Sequence, residues 1–384
     1  MNDVMEIVNN ILVENKRDVV VPVRKAKRIA PRDRRRKIDF MTEPVWFKRL
    51  LWRLKEDSQF LRSTVQLGFA LLCLWIGVEF SLFMRWGMSN GTRAHFTRPP
   101  GVEGFLPISA LISLKYWIET SVVNSIHPSA LFILLAIVAV SLLLKKSFCS
   151  WLCPIGTLSE SLWMLGEKLF GKNLHLPRWL DYPLRSLKYI ILAFFVWAIM
   201  GMDLPSLAAF ISSPYNKMAD AKMFLFFTHL SLTALGIIFA LMALSVVIKN
   251  FWCRFLCPYG ALLGAVSWLS LFKITREKST CVDCNLCTQV CPSNILVHKA
   301  GRVWSDECTS CLRCVEACPV KDTLLLRTSI SKQAVPSWVF GVLVTGVFVA
   351  ITGLAMLTNH WKNDISQTEY LHHFQNIESP LYEH

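Results

Sequence analysis

Cys281, Cys284, Cys287 and Cys291 are spaced C-x2-C-x2-C-x3-C and closed by Pro292, and Cys308, Cys311, Cys314 and Cys318 repeat the spacing before Pro319. Thiolates are the soft ligands that iron–sulfur clusters select. A doubled run with C-P ends is the bacterial two-cluster signature, in which the fourth cysteine of each run ligates the other cluster. The spacing predicts one [4Fe–4S] cluster on Cys281, Cys284, Cys287 and Cys318 and a second on Cys308, Cys311, Cys314 and Cys291. Three thiolates on a tight turn reach three corners of one cubane, and the distant fourth closes the cage. Crossed ligation also brings the clusters close enough for electrons to hop. Two structural zinc sites are the competing reading, but zinc has no use for the doubled run and its C-P ends.

Four further cysteines form two matched C-x3-C-P motifs: Cys149 and Cys153 before Pro154, and Cys253 and Cys257 before Pro258. On one helix, positions i and i+4 share a face, so each pair can present two sulfurs together. If the pairs meet about a pseudo-twofold, four sulfurs converge. Such a set can hold a third metal centre, bind copper or zinc, or cycle between dithiol and disulfide. The plain alternative is reduced structural thiols at helix ends.

Fewer signals surround these motifs. His229 is the histidine best placed inside an apolar span, where an ionisable group is a functional candidate; a haem pair would need a second histidine, and no haem is implied. Cys73 reads as packing, and His372 and His373 as a solvated pair. Gly-rich phosphate loops are absent, and no sequence-local nucleophile and base suggest hydrolysis.

The elements that must carry this chemistry are membrane helices. Of 384 residues, 53% are hydrophobic and 18% charged, with mean hydropathy +0.40; soluble domains carry about 25% charged residues. Five apolar segments are expected to span: Thr64–Met84, Ala130–Leu144, Leu187–Leu204, Met223–Ile248 and Trp338–Leu357. Shorter apolar stretches at Gly104–Trp117 and Leu204–Ile211 are expected to lie at the interface or re-enter. A weakly amphipathic start (1–13), a basic arm (Lys16–Lys37) and an interfacial helix (Trp46–Leu54) precede them. Net charge is +14, with Lys145, Lys146, Lys168, Lys172, Arg178, Arg185, Lys188, Lys249, Arg254, Lys273 and Arg276 all placed on one side of the spans; this is read as topology and lipid attraction, not nucleic-acid binding. The positive-inside rule puts the N-terminus and clusters in the cytoplasm of a bacterial inner membrane and the C-terminus in the periplasm. Phe148–Leu158 (FCSWLCPIGTL) and Trp252–Leu262 (WCRFLCPYGAL) mark an internal two-helix repeat. The expected fold is mainly α, a polytopic helical domain with a small α+β ferredoxin-like domain. Its parts are the arm (1–60), membrane domain (61–272), two-cluster domain (273–330), fifth helix (331–358) and tail (359–384).

With RPPGVEGFLPISALISLKYW (Arg98–Trp117), these motifs resemble the membrane-bound polyferredoxins, including NapH-type, NosR-type and YccM-type proteins, over about residues 60–330. The resemblance implies electron transfer between the quinone pool or cytoplasmic donors and a periplasmic or membrane redox partner, as a component and not a stand-alone enzyme. It also leaves room for a maturation or sensory role, or for a scaffold whose tail docks a periplasmic enzyme. The chain lacks the large flavin domain of the NosR type, so no FMN is implied.

Overall fold

The computed structural model describes residues 46–382; the stretch 1–13 and the basic arm Lys16–Lys37 lie outside them. Helix α1 (Trp46–Glu56) leads into α2 (Ser58–Met88). The Asp57 carboxylate caps α2 by accepting from the amides of Gln59 and Phe60 at 3.1 and 2.9 Å, which satisfies donors the first turn would otherwise orphan. Then follow α3 (Pro107–Thr120), α4 (Pro128–Leu144), the short α5 (Phe148–Trp151), α6 (Pro154–Phe170) and α7 (Arg178–Met200). After α8 (Leu204–Ser212) and the one-turn α9 (Pro214–Lys217) come α10 (Ala219–Thr228), α11 (Leu232–Val247), a π-helical turn at Trp252–Leu256 and α12 (Pro258–Val266).

Among the described residues three helices are long and apolar enough to cross a membrane: Ser58–Met88, Trp179–Met200 and Ser337–Leu357. They leave Leu67, Leu74, Trp75, Trp197 and Leu357 more than half exposed, an apolar surface suited to lipid as solvent. Two of the five expected spans differ. Met223–Ile248 is two helices, α10 and α11, bent by 86° at His229–Ser231; Ser231 starts a new helix by capping the amide of Ala234. His229 therefore sits exposed at a break, not inside a span. The segment at Ala130–Leu144 is a helix of 17 residues, shorter than the roughly 20 that cross hydrocarbon. The two short apolar stretches are α3 and α8, which pack together through Ile112, Leu207 and Ile211.

The cysteine-rich segment hangs on a two-stranded antiparallel sheet, β1 (Phe272–Arg276) with β2 (Leu324–Thr328), Phe272 opposite Thr328. It does not stand apart. Ile274, Val303, Leu312 and Leu326 share one core with Leu144 and Trp151 and with Phe340 and Val344 of the last span. After that span the tail folds back: the helix Gln367–Gln375 buries Tyr370 and Phe374 against Phe80, Phe83 and Trp86 of α2. A Cβ on Gly87 would come within 2.1 Å of the Phe374 ring, so that glycine admits the tail.

Candidate iron–sulfur and four-cysteine sites

The two ferredoxin-type loops are bent alike. In the first, Asp283 and Asn285 take positive φ; in the second, Ser310 and Leu312 do so at the matching positions. Two left-handed residues per loop curl each run around its own thiols. Cys287 faces Cys284, Cys318 and Cys281, and these four line one cavity. Cys314 faces Cys311, Cys291 and Cys308, and beyond them Cys287. The eight thiols thus sort into two sets of four, each completed by a cysteine from the other run.

The sets differ in environment. Cys284 is exposed and Cys291 buried. Burial pushes the Cys291 thiol up to about 12 and lifts Cys314 well above the usual thiol range. Arg276 Nη1 donates to Cys281 Sγ at 3.2 Å and approaches Asp283 at 3.3 Å. Among the described residues no three Cys, His, Asp or Glu gather as a site for a single metal ion. Two sets of four soft donors fit iron–sulfur clusters, which would supply one-electron redox chemistry.

The four remaining motif cysteines also converge, by a route other than a shared helix face. Cys149 lies in α5, but Cys153 has left it with extended backbone (φ −66°, ψ 120°) to become the N-cap of α6. Its sulfur accepts from the Gly156 amide at 3.4 Å, and Cys257 does the same from Gly260 at 3.3 Å at the start of α12. Proline suits the first helical position, where its missing N–H is no loss. The glycine has a separate reason: a Cβ at Gly156 would lie 2.1 Å from the Cys149 carbonyl oxygen, and one at Gly260 would lie 2.9 Å from that of Cys253. The operative pattern is C-x3-C-P-x-G, and its glycine was present in both repeated strings.

Cys253 faces Cys257, Cys153 and Cys149, and Cys149 faces Cys257. Burial drives the Cys149 thiol up to about 11 and that of Cys153 to about 12, with Lys146 opposing the rise at Cys149. Four thiols this desolvated stay neutral unless cations compensate them. Lys146, buried, interacts with Cys149 and Cys257. Lys146 and Lys188 converge on Glu307 beside Cys308. Of the cations read from sequence as topological markers, Lys145, Lys146, Lys188, Lys249, Arg254 and Lys273 are buried, whereas Lys168 and Lys172 are exposed.

A cavity of about 1360 Å³ is lined by all four of these cysteines and by Cys311 of the second ferredoxin set. It follows α2 from Arg62 to Trp86, about 36 Å of helix at 1.5 Å per residue. Cys73 lines it too. At the end remote from the ferredoxin loops sits a polar cluster that sequence reasoning missed. Arg98 bonds Asp220 at 2.5 Å and Glu103 at 2.7 Å, His127 Nδ1 lies 3.3 Å from Glu103, and all four are buried. Of the pair expected to be solvated, His372 is exposed but His373 is buried and pairs with Tyr382 at 2.5 Å.

Clustered thiols on apolar helices define a membrane iron–sulfur protein. A family model described as 4Fe-4S binding domain matches residues 126–173 and again 230–277, and one described as 4Fe-4S dicluster domain matches 273–319. The chain is 41% identical to the putative electron transport protein YccM of Escherichia coli (strain K12) over 84% of this chain and 92% of that protein. It is 34% identical to the regulatory protein NosR of Pseudomonas aeruginosa over 48% of this chain and 25% of that one. With the ferredoxin-type protein NapH of Haemophilus influenzae it shares 27% over 50% and 68%. The chain belongs to this family of membrane-bound electron-transport iron–sulfur proteins. No solved structure matches it.

Proposed function

We propose that the chain relays electrons between the quinone pool or a cytoplasmic donor and a respiratory partner on the far side of the membrane. Two [4Fe–4S] clusters, on Cys281, Cys284, Cys287 and Cys318 and on Cys308, Cys311, Cys314 and Cys291, form the cytoplasmic end. Cys149, Cys153, Cys253 and Cys257 hold a third redox centre. The observation that carries this reading is the cavity shared by those four cysteines and Cys311. A bilayer core of roughly 30 Å is too thick for one electron step, so a route needs an intermediate where this cavity begins. The same family model matching 126–173 and 230–277 supports a duplicated helix pair as its frame.

The N-terminus and clusters face the cytoplasm of a bacterial inner membrane and the tail faces the periplasm. The division into arm, membrane domain, two-cluster domain, fifth helix and tail follows that topology, with the two-cluster domain fused to the helices by a common core. Metal reduction or reductase maturation, drawing on the same clusters and thiols, is the second reading.

Iron and acid-labile sulfide on the anaerobically purified protein, with an EPR redox titration, test the relay. About twelve irons per chain are expected, and Cys149→Ser or Cys253→Ser should bring this to about eight and block electron throughput. About eight irons in the unaltered protein, with stoichiometric copper on the remaining cysteines, would transfer support to the second reading.

A further inference from the structure

We propose that Tyr259 donates the hydrogen bond that holds a carbonyl oxygen of a membrane-soluble quinone in the cavity beside Cys153 and Cys257. The inference rests on the relay reading and narrows its carrier end to one side chain.

The cavity's access defines the solubility of what enters. Leu72, Trp75, Phe105 and Ile108 line it and are each about two-fifths or more exposed, on the face where the spans meet lipid. A molecule arriving there crosses an apolar rim, and deeper in it meets Phe69, Ile137, Leu263 and Phe348. The volume, about 1360 Å³, exceeds the 300–1,000 Å³ typical of small-ligand pockets. It has room for a ring and part of a long apolar tail.

Tyr259 is a neutral donor in that wall, near the charged Lys146, Arg254 and Glu307. It lines the cavity and interacts with Cys257 and Cys153. Its side chain packs against the cluster of Ala110, Ala130 and Leu134, which restrains the ring. Tyr259 is half-buried, and among the described residues its hydroxyl makes no hydrogen bond, which leaves it open to an acceptor in the cavity. The two motifs differ here: the residue after the proline is Tyr259 in the second and Ile155 in the first. Of the two phenols that line the cavity, Tyr259 and Tyr370, Tyr259 is the one within a C-x3-C-P-x-G motif. An oxygen acceptor on a flat apolar ring with an apolar tail answers all of these features, and that is a quinone. The competing occupant with the same chemistry is the ester carbonyl of a phospholipid.

The test uses the full-length, cluster-loaded protein in phosphatidylcholine nanodiscs, titrated with a benzoquinone bearing a ten-carbon tail. Binding is followed by quenching of tryptophan fluorescence and by changes in the EPR signal of the four-cysteine centre. Tyr259→Phe should weaken binding about fivefold to tenfold, the range for one neutral hydrogen bond, with iron content unchanged. Leu72→Trp, at the exposed rim, should slow binding while leaving the hydroxyl in place. Equal affinity in Tyr259→Phe and the unaltered protein overturns the inference. So does a loss of co-purifying phospholipid in Tyr259→Phe with quinone affinity unmoved, which assigns the site to lipid. Twelve irons without quinone binding overturns it and leaves the relay standing, whereas eight irons removes the relay itself.

Discussion

The ammonium of Lys146 stands 4.0 Å from the carboxylate of Glu307, both buried, and joins the four-cysteine set to the segment carrying Cys308. Reducing a thiolate-bound centre adds negative charge, and a buried cation beside it favours the reduced state, because low dielectric magnifies the attraction. Lys146→Met should therefore make the centre on Cys149, Cys153, Cys253 and Cys257 harder to reduce. At fixed potential its reduced-to-oxidised ratio should fall about tenfold, or 59 mV for one electron. Lys146→Arg should restore most of it. An EPR redox titration reads the change, with the proposed cluster on Cys281, Cys284, Cys287 and Cys318 as the internal control.

Glu160 fastens three elements at once. Its carboxylate takes Arg62 of α2 at 2.6 Å, Arg313 of the second cysteine run at 2.5 Å, and Gln66 at 2.9 Å. Glu160→Gln leaves the buried Arg62 without its counter-ion, which should cost about 3–5 kcal/mol. Thermal loss of the visible iron–sulfur absorbance should come at lower temperature than in the unaltered protein.

The glycines after the C-P motifs should be unequal. Gly156→Ala sets a methyl 2.1 Å from the Cys149 carbonyl oxygen, a backbone atom, whereas Gly260→Ala meets that of Cys253 at 2.9 Å. Iron content should fall by about four atoms per chain in Gly156→Ala and by less in Gly260→Ala.

Glu103 gives a pH signature. Burial opposes its ionisation, but Arg98, His127 and Ser129 prevail and hold the carboxyl at about 2, down from an ordinary 4.5. Because the folded value lies below the unfolded one, the carboxylate's contribution is complete above pH 4.5 and is lost as pH falls towards 2. Circular-dichroism melts between pH 7 and 3 should show a steeper loss below pH 4.5 in the unaltered protein than in Glu103→Gln.

What could be read from sequence divides by range. The ferredoxin runs and the outer spans were legible because their signals are local: spacing in one case, a stretch of apolar residues in the other. The bend at His229–Ser231 was not, because FFTHLSLT is apolar enough to pass for the middle of a span while Ser231 caps a second helix. Lys146 and Lys188 read as markers of membrane side because a lysine beside a span usually is one. Their carboxylate, Glu307, lies more than 100 residues later, and nothing local joins them. The Arg98–Glu103–His127–Asp220 cluster hid for the same reason, its members spread from 98 to 220. The i, i+4 argument assumed a common helix face for Cys149 and Cys153, whereas a helix break and an N-cap set their geometry.

The meeting of Cys149 and Cys153 with Cys253 and Cys257 also bears on biogenesis. The first pair leaves the ribosome about a hundred residues before the second, and the helices between them must be inserted before the four sulfurs share one space. A chain truncated between the motifs should present two thiols with no partners, open to oxidation or to the wrong metal. If the proposed third centre forms on these cysteines, its loading would follow insertion of those helices, and its iron content would mark completed membrane assembly.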